Sequence, residues 1–156
     1  IVSIGFNYRM TKVQAAVGLT QLSKVDRVIA ERRRKSLALL ERLSDVEGIF
    51  LPEVIDEEHA CHLFVIRLDP DKLACGRDQF RAWLQTNCQV GTAVHYPAVW
   101  DWEVAGTFDL DKSDCPRTER ICRSVISLPV FPSTTDEDLD WIAESVRRAA
   151  AEFRKK

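Results

Sequence analysis

The sequence predicts an α+β domain, a small and mainly antiparallel sheet with helices on one side. Three observations lead there. Apolar residues recur at helical spacing near both ends of the chain, over 19–44 and 135–153. Between them lie short strand-like segments, several stopped by proline: 48–51 before Pro52, 89–96 before Pro97 and 125–128 before Pro129. The elements run strand, strand, helix, strand, helix, strand, helix, with long helices at the two ends.

Taken in order, residues 1–10 show no clean period. A helix is expected from Thr11, because Thr11 and Gln14 have the spacing of a capping box and Val13, Ala16 and Val17 share a face. Gly18 is expected to end or bend it. In the next segment Leu22, Val25, Ile29, Leu40 and Leu43 fall near helical spacing, and Ser44, Asp45 and Gly48 mark the exit. Its middle, 29–37, is mostly charged and is expected to face water or another domain. The run Arg32-Arg33-Arg34-Lys35, with Glu31 and Glu41 on the same stretch, reads as a solvated helix face. About 25 helical residues at 1.5 Å each span roughly 38 Å, the width of a domain, so this helix is expected to join two bodies of mass.

A strand over 62–68 follows, with Phe64, Ile66 and Leu68 on one face, then a helix over 76–88 turning Phe80, Trp83 and Leu84 inward. A strand over 89–96, a loop over 98–115, a short helix over 116–123 and a strand over 125–128 come next. The last helix carries one stripe of Leu139, Ile142, Val146, Ala149 and Phe153. Thr134 and Glu137 are expected to form its capping box, with Asp136, Glu137 and Asp138 at the positive end of the helix dipole.

Composition excludes several classes. Hydrophobic residues at 46% against 29% charged describe a globular chain of 156 residues. A net charge of −2 supplies no basic footprint for nucleic acid. No apolar run approaches the roughly 18 residues of a membrane span. The five cysteines, Cys61, Cys75, Cys88, Cys115 and Cys122, are odd in number and include no C-x-x-C pair, so neither a disulfide framework nor a zinc site is expected. A reducing, cytoplasmic setting is the corresponding expectation. The chain opens Ile1-Val2-Ser3-Ile4-Gly5 and its one methionine is Met10, which suggests an internal piece of a longer protein.

No G-x-S-x-G elbow, P-loop or H-E-x-x-H helix is present, so a self-sufficient active site is not expected. His59, Cys61 and His62 are close in sequence, but two histidines three apart across a strand start point to opposite faces, and no metal is expected there. Asn7-Tyr8-Arg9 has two readings. An amide and a guanidinium two residues apart in an extended loop project the same way and can grip one anion, or the loop simply caps the next helix. His95-Tyr96-Pro97 ends a predicted strand, where side chains reach into clefts; alternatively His95 packs at the edge against Trp100 or Trp102. Trp100 and Trp102 form a stacking surface or pin their loop, and pinning is preferred.

Several stretches together resemble a known family. Residues 5–18, Gly-Phe-Asn-Tyr-Arg-Met-Thr-Lys-Val-Gln-Ala-Ala-Val-Gly, resemble the G-x-N-x-R-[ML]-[ST]-x-x-Q-A-A-x-G signature of the DegT/DnrJ/StrS-type sugar aminotransferases. Residues 59–68, 90–97 and 127–132 are similar to the family's H-x-x-H-L-[YF]-V-I-R-L, G-x-x-x-H-Y-P and S-L-P-[LV]-[FY]-P segments, in the same order.

The resemblance implies the C-terminal domain of a fold-type-I enzyme that uses pyridoxal 5'-phosphate. Such an enzyme moves an amino group, usually from glutamate, onto a nucleotide-linked keto-sugar. It further implies a homodimer in which Asn7 binds the cofactor phosphate of the partner subunit, with Arg9 beside it and His95 and Tyr96 lining the sugar side. The Schiff-base lysine of the family belongs upstream, so no catalytic residue is assigned here, and Lys12 is not given that role. The implied division is 1–18 as a cofactor- and partner-contacting segment of a large domain, 19–44 as an interdomain helix and 45–156 as the small domain. Two alternatives stand beside it: a sugar 3-dehydratase of the same family, and a non-enzymatic α+β dimerisation or ligand-binding module.

Overall fold

The computed structural model describes residues 5–6, 8–53, 55–107, 113 and 115–155. Helix α1 (Lys12–Leu22) starts on Thr11 as expected. The Thr11 N–H donates to Gln14 Oε1 at 2.8 Å, and the Gln14 N–H donates to Thr11 Oγ1 at 3.2 Å. Gly18 does not end the helix. The break falls at Ser23-Lys24, before α2 (Val25–Leu43). Hydroxyls there take over helix carbonyls: Thr20 donates to Ala16 O at 3.0 Å and Ser23 to Thr20 O at 2.9 Å, the local competition that favours helix ends. The continuous helix expected from residue 19 is therefore two helices. None of the side chains of α1 is buried.

In α2 the buried positions are Lys35, Ser36, Leu39 and Leu43, so of the basic run only Arg34 remains exposed as expected. Lys35 is 4% accessible and its ammonium donates to Pro132 O. Arg32 Nη1 donates to His62 O at 3.1 Å and Val130 O at 3.2 Å, and Arg33 donates to Glu57 O and His59 O. The long stems lie along the domain while their heads saturate carbonyls that lack a sheet partner. A reading by charge alone misses this, because the partners are distant in sequence.

Gly48 turns the chain from α2 into the sheet at φ +89°, and a Cβ there would meet the Leu73 side chain at 2.7 Å, so only glycine fits. The sheet has three antiparallel strands in the order β1 (Ile49–Phe50), β2 (Phe64–Leu68), β3 (Val125–Leu128). Phe64 faces Leu128 and Ile66 faces Ile126 in register. These four residues and Leu68 bury one face of the sheet against Leu39 and Leu43 of α2, Phe80 and Leu84 of α3 (Arg77–Cys88), and Leu139 and Val146 of α5 (Asp136–Glu152).

The expected strand over 89–96 does not form. Gln89 takes a left-handed conformation at φ 57°, and the N–H groups of Gln89 and Val90 close the last turn of α3 onto Gln85 O and Leu84 O. Only Ala93 then pairs, with Ser127. The expected loop over 98–115 contains 3-10 turns at Val99–Asp101 and Glu103–Thr107. Trp100 Nε1–H donates to Glu119 Oε2 at 3.0 Å, which ties that loop to α4 (Pro116–Cys122).

Helix α5 carries the expected apolar stripe, but its capping box is Thr135 with Asp138 rather than Thr134 with Glu137. Thr134 Oγ1 instead accepts from the Phe131 N–H at 2.9 Å. The backbone N–H of Thr135 holds the Asp138 carboxyl below the usual carboxylate range, and hydrogen bonds from Arg147 and Arg77 do the same for Asp45 and Asp78. A depressed folded value means stability that is present above the unfolded value of about 3.9 and lost as pH falls through the folded values. Urea midpoints should therefore stay level near neutrality and fall below about pH 4. Asp138→Asn should flatten part of that acid limb, and an unchanged limb would contradict the cap's role.

Candidate functional site

A cleft of about 600 Å³ opens where three pieces of backbone converge. One is the lead-in to β2 at His62 and Leu63, the second runs from Gly91 to Tyr96, and the third leaves β3 through Ser127 to Phe131. Arg32 reaches the cleft from α2, and its carbonyl bonds tie the first and third walls together. Pro129 in the third wall and the short sheet explain why the backbone stops pairing here, leaving side chains free to line a cavity.

His95 and Tyr96 both line this cleft. The His95 ring is edge-on to Tyr96, with centroids 5.6 Å apart and planes at 85°. Its Nδ1 lies 3.0 Å from Ser127 Oγ. His95 thus packs with Tyr96 and Ser127 rather than with Trp100 or Trp102.

The anion-gripping pair is only partly described. Asn7 lies outside the described residues. Arg9 is exposed, lies on the approach to α1 and has no hydrogen-bond or ion-pair partner among the described residues. It is not among the residues lining the cleft. An unpaired guanidinium followed by a helix N-terminus suits a phosphate by its chemistry.

His59, Cys61 and His62 separate. The His59 ring turns back on its own loop, where Nδ1 accepts from the Cys61 N–H at 3.0 Å, while His62 borders the cleft. Among the described residues no group of three His, Cys, Asp or Glu side chains is placed to hold a metal ion. No described helix is long and apolar enough to cross a membrane. Arg32 and Ser127 were missed as site residues. Arg32 was indistinguishable in sequence from its neighbours in the basic run, and Ser127 gave no signal beyond its place in a family-like segment.

The family model for DegT/DnrJ/EryC1/StrS aminotransferases matches residues 2–147. The chain belongs to that family. It spans 40% and 38% of the length of two curated relatives it matches. One of these is the spore coat polysaccharide biosynthesis protein SpsC of Bacillus subtilis, 31% identical over 149 residues and 93% of this chain. Among solved structures, DesV of S. venezuelae in complex with a ketimine intermediate is 27% identical, with a TM-score of 0.81 over 96% of this chain and 39% of DesV. DesI in the presence of its TDP-sugar product is 26% identical, with a TM-score of 0.78 over 90% of this chain and 36% of DesI. The three-stranded antiparallel sheet and its helices thus correspond to one part of the fold of these relatives.

Proposed function

We propose that the whole protein is a pyridoxal-phosphate-dependent sugar aminotransferase that moves an amino group, from glutamate, onto a nucleotide-linked keto-sugar. The observation that carries this is the cleft: the family-like segments around His62, His95 and Ser127, far apart in sequence, converge on one cavity. DesI was solved with a TDP-sugar product and SpsC is a polysaccharide biosynthesis protein, which supports an activated sugar as substrate.

When bound, pyridoxal phosphate supplies the electron sink and carries the amino group between donor and acceptor. The chain's own part is binding and orientation. Asn7 and Arg9 hold the phosphate, acting across a homodimer, the amide by hydrogen bonding and the guanidinium by charge. His95 and Tyr96 line the sugar side and offer donors to its oxygens. Arg32 keeps the cleft walls at fixed spacing. The Schiff-base lysine is supplied from outside this chain.

The test uses the full-length protein. With pyridoxal phosphate and glutamate it should release 2-oxoglutarate in amounts matching the cofactor, and absence of that half-reaction would sink the proposal. Asn7→Ala should weaken cofactor retention about 10- to 150-fold, the worth of one hydrogen bond to a charged group, with the fold intact. Heterodimers of Asn7→Ala with a lysine-dead subunit should keep one working site, and an unchanged cofactor Kd in Asn7→Ala would remove the phosphate role.

A further inference from the structure

The side chain of Ser127 is placed by sheet register. The residue is 5% accessible, and it exchanges two backbone hydrogen bonds with Ala93, at 2.9 and 3.1 Å. In such a bonded antiparallel pair the two side chains leave the same face. Ser127 also pairs with Val65, which puts it on the face opposite the core side chains of Phe64 and Ile66. There Ser127 Oγ lies 3.0 Å from His95 Nδ1.

The chemistry of the pair is specific. Among the described residues the Ser127 hydroxyl has one partner, His95 Nδ1. With the hydroxyl proton on that contact, the neutral imidazole carries its own proton on Nε2. An uncharged partner also adds no charge to the cleft. Among the described residues no hydrogen-bond partner engages Nε2, and His95 lines the cavity.

We propose that Ser127 is a positioning residue, whose hydroxyl fixes the orientation and the Nε2–H tautomer of His95 so that the imidazole presents a single donor to an oxygen of the sugar substrate. This rests on the proposed sugar-side role of His95.

The experiment has two arms. In the full-length enzyme labelled with ¹⁵N-histidine, long-range ¹H–¹⁵N spectra at about pH 8 distinguish the two tautomers, with the His95 signals assigned by their loss in His95→Asn. His95 should appear as Nε2–H. Ser127→Ala should give a tautomer mixture and Ser127→Thr should restore the wild-type pattern. In the full-length enzyme Ser127→Ala should lower kcat/KM for the keto-sugar about 3- to 10-fold, with cofactor Kd unchanged and activity rescued by Ser127→Thr. A wild-type Nδ1–H spectrum, which needs no variant to fold, would overturn the part given to Ser127. So would an unchanged tautomer in Ser127→Ala. Full activity in His95→Asn would instead overturn the sugar-side role of His95, and with it the consequence for catalysis, whatever the spectrum shows.

Discussion

Replacing Phe64 by alanine should destabilise the domain by about 3–5 kcal/mol, a large share of the roughly 5–15 kcal/mol of a whole fold. Phe64 is 1% accessible, opens the central strand and faces Leu128 in register. Its ring sits in the cluster that joins α2, α3 and α5 to the sheet, so three helices would border the void. Phe50 is the internal control. It is 42% accessible on the edge strand, with the Arg67 guanidinium 3.9 Å from its ring centroid. Phe50→Ala should cost about 1 kcal/mol, mostly the cation–π contact. Urea unfolding followed by circular dichroism compares the two. Equal losses would mean that the core is not where the sheet places it.

The isolated chain should self-associate through α1 and the segment before it. Tyr8 is 86% accessible, Phe6 78%, Val13 74%, Leu19 70% and Leu22 65%. A helix apolar on every side is a buried helix without its cover. Leaving about 400 Å² of such surface in water forfeits on the order of 10 kcal/mol, and patches of that size drive association. Sedimentation equilibrium should show a mass that rises with concentration. Val13→Lys with Leu19→Lys should return it to the monomer with no change in the urea midpoint, since neither residue touches the core. A compact monomer at every concentration, with amide exchange over 8–22 as slow as in β2, would contradict this and favour an autonomous module.

The helices were legible where one local rule sufficed. The stripe from Leu139 to Ala149 is a single-period pattern, and the five residues of β2 alternate as a half-buried strand should. Thr11 and Gln14 satisfy each other within one turn, so no distant contact is needed. Where two local solutions competed, a neighbouring hydrogen bond decided. Thr134 and Thr135 each have an acidic residue three positions on, and Thr135 became the cap because the Thr134 hydroxyl is taken by the Phe131 N–H. Residues 89–96 have strand composition, but the end of α3 claims the N–H groups of Gln89 and Val90.

The sequence by itself determined the fold class, most of the elements and the family, because periodicity, capping and ordered motifs are properties of neighbouring residues. Only the tertiary structure decided what the charges and the cleft are. Lys35 and Arg32 look solvated in a basic run, yet their partners are carbonyls about 30 and 100 positions away, created only when β2 and β3 run out of pairing partners. His95 meets Ser127 for the same reason. Their contact depends on the Ala93–Ser127 pairing, and register is fixed by the packing of one sheet face, not by the residues on either side.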